Sequence, residues 1–202
     1  MLVFWKQRLV LLAVPKTGTT ALEAALAPMA DAAILNPPGM KHCNVQKYRR
    51  ELAPFFEQKG RRPLSLVAVM REPVDWLGSW WRYRGRAALD GQPNSTKGVS
   101  FDAFVSAYLD PQQPDFARVG AQAKFLQSGV DHLFRYDHQD ALLAFLEDRL
   151  GQLPPLERQN VSPVAEVDLS AQTRASLQAD FKVDFDLWDH LCRSEPGTAI
   201  KP

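Results

Sequence analysis

The order of apolar and polar residues from Leu9 to Leu26 constrains the fold of this chain more than any other feature. An apolar run, Leu9 to Val14, has the length and composition of a buried strand, and Ala21 to Leu26 has helical spacing. Only a short loop, Pro15 to Thr20, connects them. Because a strand that passes through a short loop into a helix is the repeating unit of parallel sheets, the segment predicts an α/β fold.

The connecting loop has the chemistry of an anion-binding site. The first amides of a helix lack intrahelical acceptors and lie at the positive end of its dipole, so a loop that ends there can hold a phosphate-like group. Lys16 adds a full positive charge, and Gly18 lets the backbone approach a ligand closely. The hydroxyls of Thr17, Thr19 and Thr20 are further donors. The alternative is an ordinary connection in which Thr17 or Thr19 only caps the helix.

The loop differs from the Walker A motif of nucleotide-binding P-loops. In that motif the lysine follows the last glycine and directly precedes a serine or threonine. Here Lys16 comes before Gly18, which is the only glycine of the loop. The order of residues therefore argues against an ordinary ATP site.

A second junction between a strand and a helix follows later in the chain. The apolar segment from Leu64 to Met70 predicts another buried strand, and Pro73 suits the first turn of a helix. Arg71, at the end of this strand, and Ser79, about two turns into the helix, can converge on one phosphate. The alternative is that Arg71 forms a surface ion pair with Glu72 and that Ser79 faces solvent.

Together the two motifs resemble those of the sulfotransferases that use 3′-phosphoadenosine 5′-phosphosulfate, of the bacterial or carbohydrate type. In that family a P-K-x-G-T-T loop after the first strand binds the 5′-phosphosulfate, and an R-x-P-x-x-x-x-x-S segment after a later strand binds the 3′-phosphate. This chain has the first motif at Pro15 to Thr20 and the second at Arg71 to Ser79. The resemblance implies a three-layer fold with a central parallel sheet, similar to that of P-loop nucleotide kinases.

The resemblance also implies a role for each matching residue. Lys16 would bind the bridging oxygen and the sulfonate, so that adenosine 3′,5′-bisphosphate can depart, and no metal would be needed. Asn160 and Ser162 resemble an Asn-x-Ser element near the cofactor, although an ordinary polar turn is an equal alternative. The implied cofactor-binding residues are Pro15, Lys16, Thr17, Gly18, Thr19, Thr20, Arg71, Ser79, Asn160 and Ser162.

An acceptor hydroxyl needs a general base, and histidine is the natural choice near neutral pH. The candidates are His42, His132, His138 and His190. His42 follows a turn-rich stretch, from Asn36 to Gly39, from which a loop could reach a cleft. The resemblance supports His42 as the base, because many family members place a Lys and His segment between the two cofactor motifs. The alternative is a polar loop histidine before a helix that begins near Asn44, and we expect the other three histidines to be structural or exposed.

Composition and length predict one domain. The 202 residues are 46% hydrophobic and 23% charged, which suits a single globular domain over residues 1–202, with a loose tail at 195–202. The formal charge of +1 gives no global attraction to nucleic acid or a membrane, and no apolar run is long enough for a membrane span. Cys43 and Cys192 are too few for a disulfide framework or a metal site, which fits a reducing, cytoplasmic location.

Two features next to the second motif predict further contacts with a ligand. The polar, turn-rich run from Gly85 to Ser100 predicts a long loop that contacts cofactor or acceptor as a lid. Arg82, Arg84 and Arg86 follow the second motif on the same helix and could reach an anionic ligand, although a solvated helix face is an equal alternative.

The function predicted from these residues is transfer of a sulfuryl group to a hydroxyl of a carbohydrate, lipid or small metabolite. The expected partner is a small-molecule or glycan acceptor. One alternative is a P-loop kinase of small molecules, which would need a Mg²⁺ ligand and a lysine after the last loop glycine. Another is a non-catalytic nucleotide-binding module.

Overall fold

Six short strands form one sheet at the centre of the molecule. The computed structural model of the protein describes residues 1–58, 62–156 and 167–200. The strands are β1 (Leu2–Phe4), β2 (Leu9–Leu11), β3 (Ala32–Ala33), β4 (Ser65–Met70), β5 (Val130–Arg135) and β6 (Thr198–Ile200). Their order across the sheet is β3-β1-β2-β4-β5-β6.

Helices fill most of the chain between and after the strands. In chain order they are α1 (Thr19–Leu26), α2 (Pro38–Lys41), α3 (Val45–Lys47), α4 (Ala53–Glu57), α5 (Pro73–Arg84), α6 (Phe101–Leu109), α7 (Gln122–Leu126), α8 (Gln139–Leu150), α9 (Ala171–Asp180) and α10 (Lys182–Arg193). A π-helical turn, Tyr48–Leu52, lies between α3 and α4, and short 3₁₀ turns occupy Ala27–Met29 and Ala87–Leu89. Across the described ranges, no helix has both the length and the apolar character that crossing a membrane requires.

The sheet is mixed. The three central strands, β2, β4 and β5, are parallel, with Leu9 opposite Ser65 and Met70 opposite Arg135. The other three strands pair antiparallel with their neighbours. The prediction of an α/β fold is confirmed, but the predicted parallel arrangement holds only for the central strands. A tight turn between β1 and β2 is the physical reason at one side, because short connections join antiparallel strands and parallel pairs need long crossovers.

Apolar side chains of the central strands alternate between two cores. Leu66 and Met70 of β4 pack on one face together with Leu191 of α10. Val67, between them, packs on the other face together with Leu142 of α8. This alternation follows from the two-residue period of a strand, and it places helices on both faces of the sheet.

A third apolar cluster fixes the helix of the second motif. Trp76 and Leu77 of α5 pack against Phe104 of α6 and Leu177 of α9, away from the two cores of the sheet. Ser100 caps α6, because its hydroxyl accepts a hydrogen bond from the amide of Ala103. Helix α5 is thereby held along its apolar side, so the groups at its start have a defined position at the edge of the sheet.

The expected loose tail contains a strand. Residues Thr198–Ile200 form β6, which pairs antiparallel with β5 and places Thr198 opposite Leu133. Gly197 precedes it with a φ of +76°, and a Cβ there would lie 2.8 Å from the ring of Phe134. The expectation for this part of the chain was wrong because a three-residue strand has too few residues for a recognisable alternation.

Candidate functional site

The loop between β2 and α1 has positive φ angles at two residues, one of which is a glycine. Gly18 is the N-cap of α1 with a φ of +76°, and Lys16 also has a positive φ of +65°. The hydroxyl of Thr17 donates to the carbonyl oxygen of Val14 at 2.8 Å, and therefore holds the loop together internally. Neither Thr17 nor Thr19 caps the helix through its side chain, so the capping role given to them in the alternative is wrong. The choice between an anion site and an ordinary connection stays a prediction.

The start of α1 presents free donors. The amides of Gly18, Thr19 and Thr20 donate to no acceptor within the described residues. Gly18 and Thr20 are exposed, whereas Thr19 is buried. No acidic side chain occupies the first turn of α1 and competes for its positive end. An external anion can therefore accept hydrogen bonds from these amides.

The structure brings the two sequence motifs together. The Nη1 atom of Arg71 donates to the carbonyl oxygen of Lys16 at 3.2 Å, and the indole Nε1 of Trp76 donates to the carbonyl oxygen of Pro15 at 2.9 Å. These contacts join residues far apart in the chain. They form because β2 and β4 are parallel neighbours, so that the loops after both strands lie at the same edge of the sheet.

Arg71 is held rigidly from several sides. Its Nε donates to the carboxylate of Asp75 at 2.5 Å, and its guanidinium carbon lies 4.3 Å from the ring centroid of Tyr136. Its backbone N–H and C=O groups both bond to the side-chain amide of Gln122. Glu72 accepts a hydrogen bond from the amide of Asp75 and caps α5, so the alternative of an ion pair between Arg71 and Glu72 is wrong.

Ser79 lies in the interior of the molecule. It is 6% exposed and belongs to the buried positions of α5, so the alternative in which it faces solvent is also wrong. Asn160 and Ser162 fall outside the described residues, and their predicted role stays a prediction. The predicted contact of the Gly85 to Ser100 loop with a ligand also stays a prediction.

Lys16 lies against an aromatic ring in a positively charged environment. Its Nζ atom is 4.1 Å from the ring centroid of Tyr83. Burial lowers the pKa of Lys16 to about 8, with smaller contributions from the positive charges of Arg86, Arg71 and Arg82. Several cations therefore surround a lysine for which the described residues supply no carboxylate. An anion bound here would relieve their repulsion and favour the charged lysine.

His42 has the arrangement of a neutral base. It follows α2, and its Nδ1 atom lies 2.7 Å from the carbonyl oxygen of Ala13. Because a carbonyl oxygen can only accept, Nδ1 carries the proton, and Nε2 keeps its lone pair. Burial lowers the pKa of His42 from its usual 6.5, and the nearby ammonium of Lys41 lowers it further. Lys41 itself pairs with the buried carboxylate of Glu23 on α1 at 2.6 Å, which ties α2 to α1.

The other histidines contact the scaffold. The Nδ1 of His132 lies 3.1 Å from the carbonyl oxygen of Gly197, and its ring packs on Phe145. His138 precedes α8, and His190 lies near Ser194 at the end of α10. These positions agree with structural roles.

Sequence reasoning missed several side chains of the site. The ring of Tyr136 lies between Arg71 and Gly18, because a Cβ on Gly18 would be 3.1 Å from that ring. The sequence patterns did not single out Asp75 or Tyr83. The aromatic residue at the end of β5 was a visible signal for Tyr136, but nothing in the sequence showed which face of α5 Asp75 and Tyr83 occupy.

The three arginines after the second motif have different partners. Arg82 pairs with Asp75 at 3.5 Å. Arg84 donates to two backbone carbonyl oxygens, at 2.6 and 3.0 Å, and joins α5 to the segment after α6. Arg86 lies beyond the end of α5, not on it as predicted, and its guanidinium carbon is 4.9 Å from the ring centroid of Tyr83. They are therefore not simply a solvated helix face.

Comparison with known proteins identifies no relative of this chain. The chain matches no protein-family model, no curated protein and no solved structure. What the chain does must therefore be inferred from its own residues.

Proposed function

We propose that this chain is a sulfotransferase that moves a sulfuryl group from 3′-phosphoadenosine 5′-phosphosulfate to a hydroxyl of a carbohydrate, a lipid or a small metabolite. The observation that supports this most is the hydrogen bond of 3.2 Å from Arg71 to the carbonyl oxygen of Lys16. A nucleotide with anionic groups at both its 3′ and 5′ positions needs two cationic subsites close together. The two motifs supply such a pair at neighbouring strand ends.

The proposal includes a fold of the P-loop nucleotide-kinase kind. Three features support it: the parallel centre of the sheet, the anion loop between β2 and α1, and helices on both faces. In open α/β sheets ligands bind beyond the carboxyl ends of the parallel strands. Both motifs occupy that edge.

Lys16 and the start of α1 would hold the 5′ end of the donor. The amides of Gly18 to Thr20 have no acceptor in the described part of the chain, so they and the hydroxyl of the exposed Thr20 can donate to the phosphate oxygens. Within the described residues Lys16 forms no ion pair and contacts only aromatic rings, so its ammonium can turn toward the oxygen that departs. Positive charge at that oxygen stabilises the transition state for sulfuryl transfer. The donor itself supplies the sulfuryl group.

Arg71 and Ser79 would hold the 3′-phosphate. The contact between Arg71 and Asp75 uses Nε, and the contact with Lys16 uses Nη1, so Nη2 is free among the described contacts. A guanidinium held in one orientation can bind a phosphate without a further loss of side-chain freedom.

His42 would accept the proton of the acceptor hydroxyl. Its Nε2 atom carries the lone pair, and its lowered pKa keeps the ring neutral near pH 7. The hydrogen bond from Nδ1 to the carbonyl oxygen of Ala13 stabilises the imidazolium that forms when Nε2 takes the proton.

Calorimetry distinguishes this proposal from the kinase alternative. We expect adenosine 3′,5′-bisphosphate to bind more tightly than ATP with Mg²⁺. A preference for ATP would reject the sulfotransferase and favour a small-molecule kinase. Transfer of labelled sulfate from the donor to a library of acceptors then tests catalysis. Binding of the bisphosphate without transfer to any acceptor would favour the non-catalytic module.

A further inference from the structure

Arg86 lies close to Lys16 but belongs to neither of the two motifs. The Nζ of Lys16 is 4.1 Å from the ring centroid of Tyr83, and the guanidinium carbon of Arg86 is 4.9 Å from the same centroid. The two positive groups are therefore at most 9.0 Å apart. After burial, the positive charge of Arg86 is the foremost cause of the lowered pKa of Lys16.

The guanidinium of Arg86 forms no ion pair within the described residues. No carboxylate there lies within ion-pair distance of it, and its recorded contact is with the ring of Tyr83. The preceding arginines differ, because Arg82 pairs with Asp75 and Arg84 donates to two backbone carbonyl oxygens. A guanidinium with free donors beside other cations is suited to binding an external anion.

An aromatic ladder supports Arg86 in this position. Trp76, Trp80 and Tyr83 contact one another edge to face along α5, with centroids 6.2 and 6.0 Å apart. Tyr83 is 37% exposed, so the ladder runs from the buried side of the helix to its surface. A guanidinium over an aromatic face keeps the donors at its edge available for a forked contact with a carboxylate, phosphate or sulfate.

We infer that Arg86 binds an anionic group of the acceptor, and that the acceptor is a hydroxyl compound with a carboxylate, phosphate or sulfate near the reacting hydroxyl. This inference rests on the proposed function. The proposed donor already has Arg71 for its 3′-phosphate, and Lys16 with the start of α1 for its 5′ end. A hydroxyl in position to react must lie about 3–3.5 Å from the atom it attacks, so the acceptor has to pass beside Lys16. Arg86 then lies within reach of a group a few bonds away.

The test uses pairs of acceptors that differ only in charge. In each pair, such as p-nitrophenyl glucuronide and p-nitrophenyl glucoside, a carboxylate replaces a hydroxymethyl group. For the wild type we expect kcat/KM to be about 10- to 100-fold higher for the anionic member, as for one charged hydrogen bond. Arg86→Gln should reduce this ratio to near one, and Arg86→Lys, which keeps the charge but not the fork, should leave it in between.

Two controls separate the possible failures. Arg174→Gln removes an exposed arginine of α9 and should leave the ratio unchanged. Arg86→Gln should lower the affinity for adenosine 3′,5′-bisphosphate much less than it lowers the acceptor ratio, because only a charge at longer range is lost, and it should keep the wild-type melting temperature. The inference is wrong if Arg86→Gln keeps the ratio, if neutral acceptors are preferred, if no anionic acceptor is used, or if bisphosphate affinity falls by as much as the ratio does. Failure of the wild type to bind the bisphosphate would instead overturn the proposed function.

Discussion

Lys16 and Arg71 lie side by side, but the protein holds them in opposite ways. The side chain of Arg71 is 14% exposed and is held by Asp75, by the carbonyl oxygen of Lys16 and by the ring of Tyr136. The ammonium of Lys16 contacts only aromatic faces among the described residues. Arg71 is fixed by an ion pair and hydrogen bonds before any ligand arrives, whereas the ammonium of Lys16 has no such partner among the described residues.

The difference between the two side chains suits two functions, namely binding of the donor and stabilisation of the transition state. Fixing a long side chain costs up to about 2 kcal/mol of conformational free energy, and for Arg71 this cost is met during folding. A pre-organised cation suits a charge that is present from the moment of binding, such as a 3′-phosphate. A cation with no ion pair to break can be positioned by the bound donor itself, beside the leaving oxygen on which charge develops. The comparison therefore predicts that Lys16 acts mainly on turnover and Arg71 mainly on binding.

Removal of the Lys16 ammonium should have the largest effect. We expect Lys16→Ala to lower kcat for sulfate transfer by about 100- to 1000-fold, as for the loss of one group that stabilises charge in the transition state. Its affinity for adenosine 3′,5′-bisphosphate should change much less. Steady-state kinetics with the best acceptor and calorimetry measure the two quantities. Lys124→Ala, which removes an exposed lysine of α7, is the matched control. Equal losses in both quantities would contradict the division of tasks.

Removal of the Arg71 guanidinium should have the next largest effect, and on binding. We expect Arg71→Ala to weaken adenosine 3′,5′-bisphosphate by about 10- to 100-fold, the range for lost charged hydrogen bonds. Adenosine 5′-phosphate lacks the 3′-phosphate, and its affinity should change far less. Calorimetry measures the affinity of the wild type and of Arg71→Ala for each of the two ligands, and the four values form a thermodynamic cycle. A similar loss for both ligands would show that Arg71 supports the loop through Lys16 instead of recognising the 3′-phosphate.

The pH profile of sulfate transfer should have an alkaline limb that depends on Lys16 and an acid limb that depends on His42. Lys16 must be protonated to act, so kcat/KM for the donor should fall about tenfold per pH unit above the lysine pKa of about 8. His42 must be neutral, and burial lowers its pKa, so the fall on the acid side should begin below pH 6.5. His42→Gln should remove the acid limb and lower the rate by about 100-fold or more. Lys16→Arg should remove the alkaline limb, because arginine stays charged.

An unchanged rate in His42→Gln would reject the assignment of the base. An alkaline limb that persists in Lys16→Arg would belong to another group. Both profiles are measured at saturating acceptor, with melting temperatures recorded over the same range to exclude loss of the folded state.

The sequence predicted those parts of the site that follow from local patterns. Leu64 to Met70 was predicted as a strand, and β4 begins one residue later. Pro73 was placed in the first turn of a helix and is the first residue of α5. These predictions succeed because burial patterns and proline geometry act over a few residues. The same local logic predicted a loop and a helix after β2.

Some strands and side-chain contacts depend on residues far apart in the chain, and these were not predictable from the sequence. Strand β1, which forms a hairpin with β2, and the edge strand β6 each have three residues, too few for a periodic signal. The alternative for Arg71 was an ion pair with Glu72, but Asp75 takes that place because it lies four residues after Arg71 and faces it. The contact of Lys16 with Tyr83 depends on how α5 packs against the loop. No spacing in the sequence encodes that packing.

Substitution of Gly18 should have the smallest effect. Gly18 belongs to the same loop as Lys16, and the ring of Tyr136 lies between Gly18 and Arg71. The φ of Gly18 is +76°, and a Cβ there would lie 3.1 Å from the ring of Tyr136, which also contacts Arg71. Gly98 has nearly the same φ, +75°, but open space around it. In urea unfolding we expect Gly98→Ala to cost about 1 kcal/mol from backbone strain alone. Gly18→Ala should cost up to about 1 kcal/mol more, as an overpacked contact does.

The combination of Gly18→Ala with Tyr136→Ala decides what the extra cost means. If the ring of Tyr136 is held between the loop and Arg71, the double variant should lose the additional cost of the Gly18 substitution, because the clash disappears. The affinity of Gly18→Ala for adenosine 3′,5′-bisphosphate should also fall, since the displaced ring disturbs Arg71. Equal costs at Gly18 and Gly98 would show that Tyr136 moves aside freely. The rigidity of Arg71 would then come from Asp75 and Gln122, without support from the ring.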